Sequence, residues 1–204
     1  MVPVALSPSF SEAFVFAAER YVGKVRGNTR VPAIAHAMAV TALVLDLGGD
    51  EDEATAALLH DMVEDGASDG PGRGAAALEE IKERWGDHVA ALVEELTDEV
   101  ESTGASWLDR KTAYLATMAD CSPSALRISL ADKTDNTRTL LRGLTEEGDA
   151  LFARHTAGDR ETFLWYYESL VAQFQARQDD LGAGAGPMLL ELARVVDLLR
   201  IRSS

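Results

Sequence analysis

Residues 56 to 65 read AALLHDMVED, an apolar run closed by His60 and Asp61, with a second acidic pair, Glu64 and Asp65, just beyond. Burying an ionisable side chain costs several kcal/mol unless it is paired or bound to a metal. On a continuous helix His60 shares a face with Glu64, and Asp61 with Glu64 and Asp65. Leu58, Leu59, Met62 and Val63 cover much of the remainder, so the acidic end is expected at the rim of a core. Acids at the end of a helix oppose its dipole, which favours a functional role for Glu64 and Asp65. Two adjacent ligands on one helix reach a single ion only if other helices complete the shell. His36, inside PAIAHAMAV, and Asp132, inside ISLADKTDN, occupy similarly apolar surroundings. Two histidines and two carboxylates suit a divalent first-row metal such as Mn or Fe, with Zn possible. A metal of that kind makes a water acidic enough to act as a nucleophile near neutral pH.

The elements that must position these residues read as helix after helix, with sparse β-branched residues and no sustained period-two alternation. SPSFSEAFVFAAERYVG places Ser9 and Glu12 at capping-box spacing and closes at Gly23. VPAIAHAMAVTALVLDLGG starts near Pro32 and stops at Gly48 and Gly49. DEDEATAALLHDMVEDG follows, with Asp50 as N-cap, Glu53 three residues on, and Gly66 as its end. ASDGPGRG, residues 67 to 74, is the clearest loop; AAALEEIKERWG and DHVAALVEELTDEVES come next, the second capped by Asp87. Ser106 caps WLDRKTAYLATMAD, Ser122-Pro123 opens SPSALRISLADKTDNTRTLLRG, and a long helix covers RETFLWYYESLVAQFQARQ. After GAGAG a last amphipathic helix spans about 187 to 202, with Leu189, Leu192, Val196 and Leu199 at helical spacing, a pattern that fits its own core or a partner's. The expectation is an all-α bundle of about eight to ten helices, a single domain over residues 1–204.

The succession H…HD…D across helices resembles the HD metal-dependent phosphohydrolase superfamily. AALLHDMVEDG resembles the hydrolase motif of its RelA/SpoT members. IKERWGDHVAALVEELTDE, RISLADKTDNTRTL and FLWYYESLVAQF resemble that family's following segments, over roughly residues 10 to 178. The resemblance implies a small stand-alone hydrolase that removes the 3′-pyrophosphate of guanosine tetra- or pentaphosphate. It implies that His36, His60, Asp61 and Asp132 hold Mn2+ and that Glu64 and Asp65 manage protons at the attacking water. It also places Asn136 at the sugar or phosphates, Tyr166 beside the base or ribose with Trp165 and Tyr167 as neighbours, and Lys111 and Lys133 at family lysine positions. The chain departs from the family at VPAIAHAMA: the family has an aromatic-Ile pair shortly before the first metal histidine and Pro just after it, and this stretch has neither. That segment would help to form the guanine pocket.

The charge pattern supplies a further hint. No Asp or Glu occurs between Glu19 and Asp46, a window that holds Arg20, Lys24, Arg26 and Arg30 just ahead of His36. Such a patch suits a substrate with several phosphates, with Lys24 and Arg26 as candidate contacts, although an ordinary basic loop reads the same way. The net charge of −15 argues against DNA or an anionic membrane as a partner. No segment approaches the ~20 apolar residues of a membrane span. The lone Cys121 fits a reducing compartment, and MVPVALSPSF lacks a basic leader with a long apolar stretch, so the expected location is cytoplasmic. His88 and His155 read as surface or structural residues. A homo-oligomer stays open, as do two other functions: an HD phosphohydrolase for a different nucleotide, and a non-catalytic metal-binding regulatory module.

Overall fold

A computed structural model describes residues 4–27, 29–70, 72–97, 105–153 and 159–201. The all-α expectation holds: among the described residues the only β feature is an isolated bridge between Val25 and Pro32. In chain order the helices are α1 (Pro8–Arg20), α2 (Ile34–Asp46), α3 (Glu51–Leu59), α4 (Met62–Asp69), α5 (Arg73–Leu96), α6 (Trp107–Thr117), α7 (Pro123–Glu147), α8 (Ala150–Ala153), α9 (Arg160–Ala176) and α10 (Gly186–Ile201). A 3-10 turn, Gln178–Leu181, joins the last two. His155, and residues 98 to 102 of the segment read as helical, lie outside the described residues.

Side-chain caps set the starts of α1, α3, α6, α7 and α9. Asp50 and Ser106 each close a full capping box, with Glu53 and Asp109 respectively, and Ser122 caps α7 by accepting from Ala125 N at 3.1 Å. At the first helix the expected cap moves. Ser7, not Ser9, is the N-cap, because Pro8 takes the first helical position, where its fixed φ fits and its missing N–H costs nothing. The Ser7 hydroxyl also donates to Glu51 at 2.6 Å, tying α1 to the start of α3.

Two further corrections fall at the HD motif itself. The helix expected to run from Asp50 to Gly66 ends at Leu59, and α4 starts afresh at Met62. The His60 ring N–H takes the Ala57 carbonyl at 2.7 Å, an acceptor that a continuing helix would offer to the Asp61 amide. The helical ladder resumes where Asp65 N donates to the Asp61 carbonyl at 2.8 Å. Glu64 and Asp65 therefore occupy the first turn of α4, where the dipole stabilises them, rather than the last turn of a longer helix. Gly66 lies inside α4 and is small for packing: a Cβ there would approach the Arg73 carbonyl oxygen at 2.9 Å and Gly74 Cα at 3.3 Å. The loop expected over 67 to 74 shrinks accordingly to the turn between Asp69 and Arg73. The two helices read on either side of Gly86 form one kinked unit, with Gly86 at φ 89°.

Helix α7 is the spine, in contact with α2, α3, α5, α8 and α10. Its buried Leu126, Ile128, Leu130 and Ala131 join Leu58, Leu59, Ile81, Leu92, Leu170 and Phe174 in one contiguous apolar cluster. Full burial of such side chains contributes about 1.5–3 kcal/mol each before conformational entropy is counted. Glu53, only 2% exposed, is ion-paired with Arg127 and clamps α3 to α7 away from the HD end. The last helix, expected at about 187 to 202, packs on α7 and α9 of its own chain through Leu189, Leu192, Val196 and Leu199. No helix among the described residues is long and apolar enough to cross a membrane.

Candidate metal centre

Three elements converge near the middle of α7. Helix α2 supplies His36, the α3–α4 junction supplies His60 and Asp61, and α7 supplies Asp132. His36, His60 and Asp132 are all buried, and a ligand atom of each lies within 4.8 Å of the other two. His36 Nε2 lies 3.1 Å from Asp132 Oδ1 and 3.6 Å from Asp61 Oδ2. His60 Nε2 lies 3.1 Å from Asp61 Oδ1 and 3.9 Å from Asp132 Oδ1. The four residues expected to share a metal are thus brought together.

Both imidazoles are held by their outer nitrogens. His60 Nδ1 bonds the Ala57 carbonyl at 2.7 Å, and His36 Nδ1 bonds Asp135 Oδ2 at 2.8 Å. With the proton on Nδ1, each Nε2 lone pair faces the cluster, the arrangement that metal-binding histidines adopt. With its proton on Nδ1, His60 Nε2 is moreover fully enclosed and meets no donor, facing only the carboxylate oxygens of Asp61 and Asp132, although a buried ring nitrogen normally has a partner. A divalent cation would satisfy that atom, so the donor set fits a metal. Two nitrogens and two carboxylates are borderline donors that do not single out one ion.

The electrostatics agree. Burial alone would lower both imidazole pKa values. The charge and hydrogen bond of Asp61 overcome it at His60 and push that ring up to about 9, while Asp132 and Asp135 raise His36 above its usual value. Burial would raise the carboxyls, yet His60 and His36 hold Asp61 below the ordinary range. Lys133 and the two rings hold Asp132 well below it. Without a cation, protons on the histidines neutralise the carboxylates.

Around this core the expected contact residues divide. Lys133 Nζ sits 2.6 Å from Asp132 Oδ2 and 4.9 Å from the centre of the Tyr114 ring. Asn136 Nδ2 donates to Asp132 Oδ1 at 2.5 Å. Lys24 reaches Asp65 at 3.2 Å. Arg26 crosses to α7, where it bonds Asp135 and Asn136 at 2.8 Å each and Thr139 at 2.6 Å. A cavity of about 400 Å³ opens beside the cluster, lined by Tyr21, Lys24, Arg26, His36, Asp61 and Asp65. A second, of about 660 Å³, is lined by Arg26, Arg30, Asn136, Arg142 and Tyr167, so Arg26 and Asn136 lie between the metal cluster and this space. Tyr166 is buried in an aromatic group, edge-on to Trp107 and Tyr167, with Lys111 Nζ 5.3 Å from its ring centre. Its neighbour Tyr167 is the tyrosine that lines the larger cavity.

Sequence reasoning did not single out Asp135. Three residues after Asp132 on a polar helix, it reads as an ordinary surface acid, and only the docking of α2 gives it a partner.

Comparisons with known proteins meet this geometry. The family model described as HD domain matches residues 13–158. Over 140 residues the chain is 36% identical to the guanosine-3′,5′-bis(diphosphate) 3′-pyrophosphohydrolase MESH1 of Xenopus tropicalis, covering 67% of this chain and 72% of that one. It is 35% identical over 130 residues to the guanosine-3′,5′-bis(diphosphate) 3′-pyrophosphohydrolase of Aquifex aeolicus, which covers 63% of this chain but only 17% of that longer protein. Among solved structures, a metazoan ortholog of SpoT described as hydrolysing ppGpp superposes with a TM-score of 0.68 at 25% identity, over 96% of this chain and 97% of that one. With the family model spanning most of its length and a relative matched over most of that protein's own, this chain belongs to the HD domain family.

Proposed function

We propose that the protein is a metal-dependent hydrolase that removes the 3′-pyrophosphate of guanosine tetra- or pentaphosphate, giving GDP or GTP and pyrophosphate, with Mn2+ as the working ion. The observation that carries this reading is the buried His36–His60–Asp132 group, closed by Asp61, beside an acid pair and an arginine-bordered cavity. The names of the relatives supply the substrate.

In this reading His36, His60, Asp61 and Asp132 hold the ion. When bound, it supplies Lewis acidity that polarises a phosphoryl oxygen and acidifies a water. Water attacks the 3′ phosphorus, the bond from that phosphorus to the ribose 3′ oxygen breaks, and the oxygen leaves with a proton. Glu64 and Asp65, both partly exposed in the first turn of α4, accept the water proton and return one to the leaving oxygen. Lys24, already on Asp65, offsets the charge that builds there. Lys133 braces Asp132, and Lys111 adds positive charge behind the aromatic group. The nucleoside side of the substrate takes the larger cavity, where Arg26 and Asn136 meet sugar and phosphate. Tyr167 flanks the ring system there, with Tyr166 packed behind it.

The test is incubation of the Mn2+-loaded protein with guanosine tetraphosphate, with GDP and pyrophosphate as readout and Asp61→Ala as control. Product from the wild type alone supports the reading. No product from a chain shown to hold Mn2+ rejects this substrate. A different nucleotide is the second reading, favoured by the arginines of the larger cavity, which recognise phosphates rather than a particular base. Parallel turnover of other 2′- or 3′-phosphorylated nucleotides separates the two.

A further inference from the structure

One oxygen of Asp135 serves two masters. Oδ2 lies 2.8 Å from His36 Nδ1 and 2.8 Å from Arg26 Nη1, and the carboxylate is largely buried. On one side it fixes the ring that turns Nε2 toward Asp61 and Asp132. On the other it seats Arg26, which borders both cavities and bonds α7 directly.

Arg26 belongs to the segment between α1 and α2. Its backbone is tied back on itself: Arg26 N donates to the Val31 carbonyl at 2.8 Å, and Ala33 N donates to the Lys24 carbonyl at 3.0 Å. This small closed loop therefore depends on Arg26 for its polar attachment to the spine. The two histidines differ for the same reason. His60 leans on a neutral carbonyl, whereas His36 leans on a carboxylate, which makes its Nε2 the more basic donor.

We infer that Asp135 is a positioning residue that couples the two halves of the site, setting the strength of His36 as a metal ligand and locking the Arg26 loop against α7 through the same oxygen. The inference rests on the metal reading above but not on the identity of the nucleotide.

The variant Asp135→Asn keeps size and shape and removes the charge. Titration with Mn2+ alone is expected to show affinity weakened about tenfold or more, the usual cost of losing a partner behind a ligating histidine. Limited trypsin digestion is expected to cut faster at Lys24 and Arg30. The His36 Nδ1–H resonance, followed with Zn2+ as a diamagnetic probe, should move while that of His60 stays. Arg26→Met, which leaves the His36–Asp135 bond in place, should speed digestion with less than a threefold change in Mn2+ affinity. Unchanged affinity in a folded Asp135→Asn chain overturns the inference. So does equal weakening in both variants, because it would make the pair merely structural. Should Asp135→Asn not fold, the His36 Nδ1–H resonance of the wild type decides: a position no further downfield than that of His60 rejects the carboxylate bond. A wild type that binds no Mn2+ removes the metal reading itself, an outcome distinct from either.

Discussion

At the scale of single residues, the centre is a set of charges that only make sense together. Glu64 and Asp65 carry no ligand role in the proposed chemistry, so Glu64→Gln and Asp65→Asn should each lower kcat by about 10²–10⁴-fold. Mn2+ affinity should remain within a fewfold of wild type, as checked by steady-state kinetics beside a metal titration. The histidines give a pH dependence with a definite sign. In the metal-free chain His60 is raised from 6.5 to about 9, since Asp61 overcomes the effect of burial. Its proton therefore stabilises the fold fully below 6.5, and that contribution disappears as pH rises through about 9. A cation must displace the same proton, so Mn2+ affinity should climb between those two values. Calorimetric titration across that range should show it, and a flat profile would contradict the pairing of His60 with Asp61. His36, His60, Asp61 and Asp132 were legible because ionisable groups in apolar runs need a reason. Asp135 was not, because its reason, a ring nitrogen from α2, is distant in sequence.

Elements were legible where local chemistry decides and opaque where packing does. The boxes at Asp50 and Ser106, and the cap at Ser122, are local and fell where the spacing put them. Gly66 shows the opposite. A glycine that ends a helix and one that lets two helices touch look identical in sequence, and here the second cause operates. Gly66→Ala would press a Cβ against the Arg73 carbonyl and Gly74, both backbone and unable to swing aside. The expected cost is about 1–3 kcal/mol, the range for overpacking. Since α4 carries Glu64 and Asp65, activity should fall further than the loss of folded protein accounts for; thermal melts and kinetics on the same preparation test both. The turn at His60–Asp61 was missed for a related reason: it follows from a side-chain hydrogen bond to Ala57, not from a breaker residue.

For the molecule as a whole, one apolar cluster that includes residues of α7, α9 and α10 holds a bundle in which buried polar residues interrupt the spine near its middle. A cation that binds only the folded chain stabilises it by mass action. At about 100 times its Kd, Mn2+ should add ~2.7 kcal/mol, or roughly 5–10 °C in Tm for a chain of this size. Excess chelator should reverse the shift, and a melting curve indifferent to both would speak against a specific site. The all-α architecture needed little more than periodicity and caps to be read. The meeting point of α2, the α3–α4 junction and α7 needed tertiary structure. That meeting point also sets a schedule for biosynthesis. A nascent chain that has emerged only as far as α6 already displays His36, His60 and Asp61, yet it has neither Asp132 nor the α7 backbone that braces them. On the proposed metal reading, ion capture would wait for the spine to leave the ribosome, and a truncated product ending before α7 would lack Asp132 and bind the ion more weakly than the finished protein.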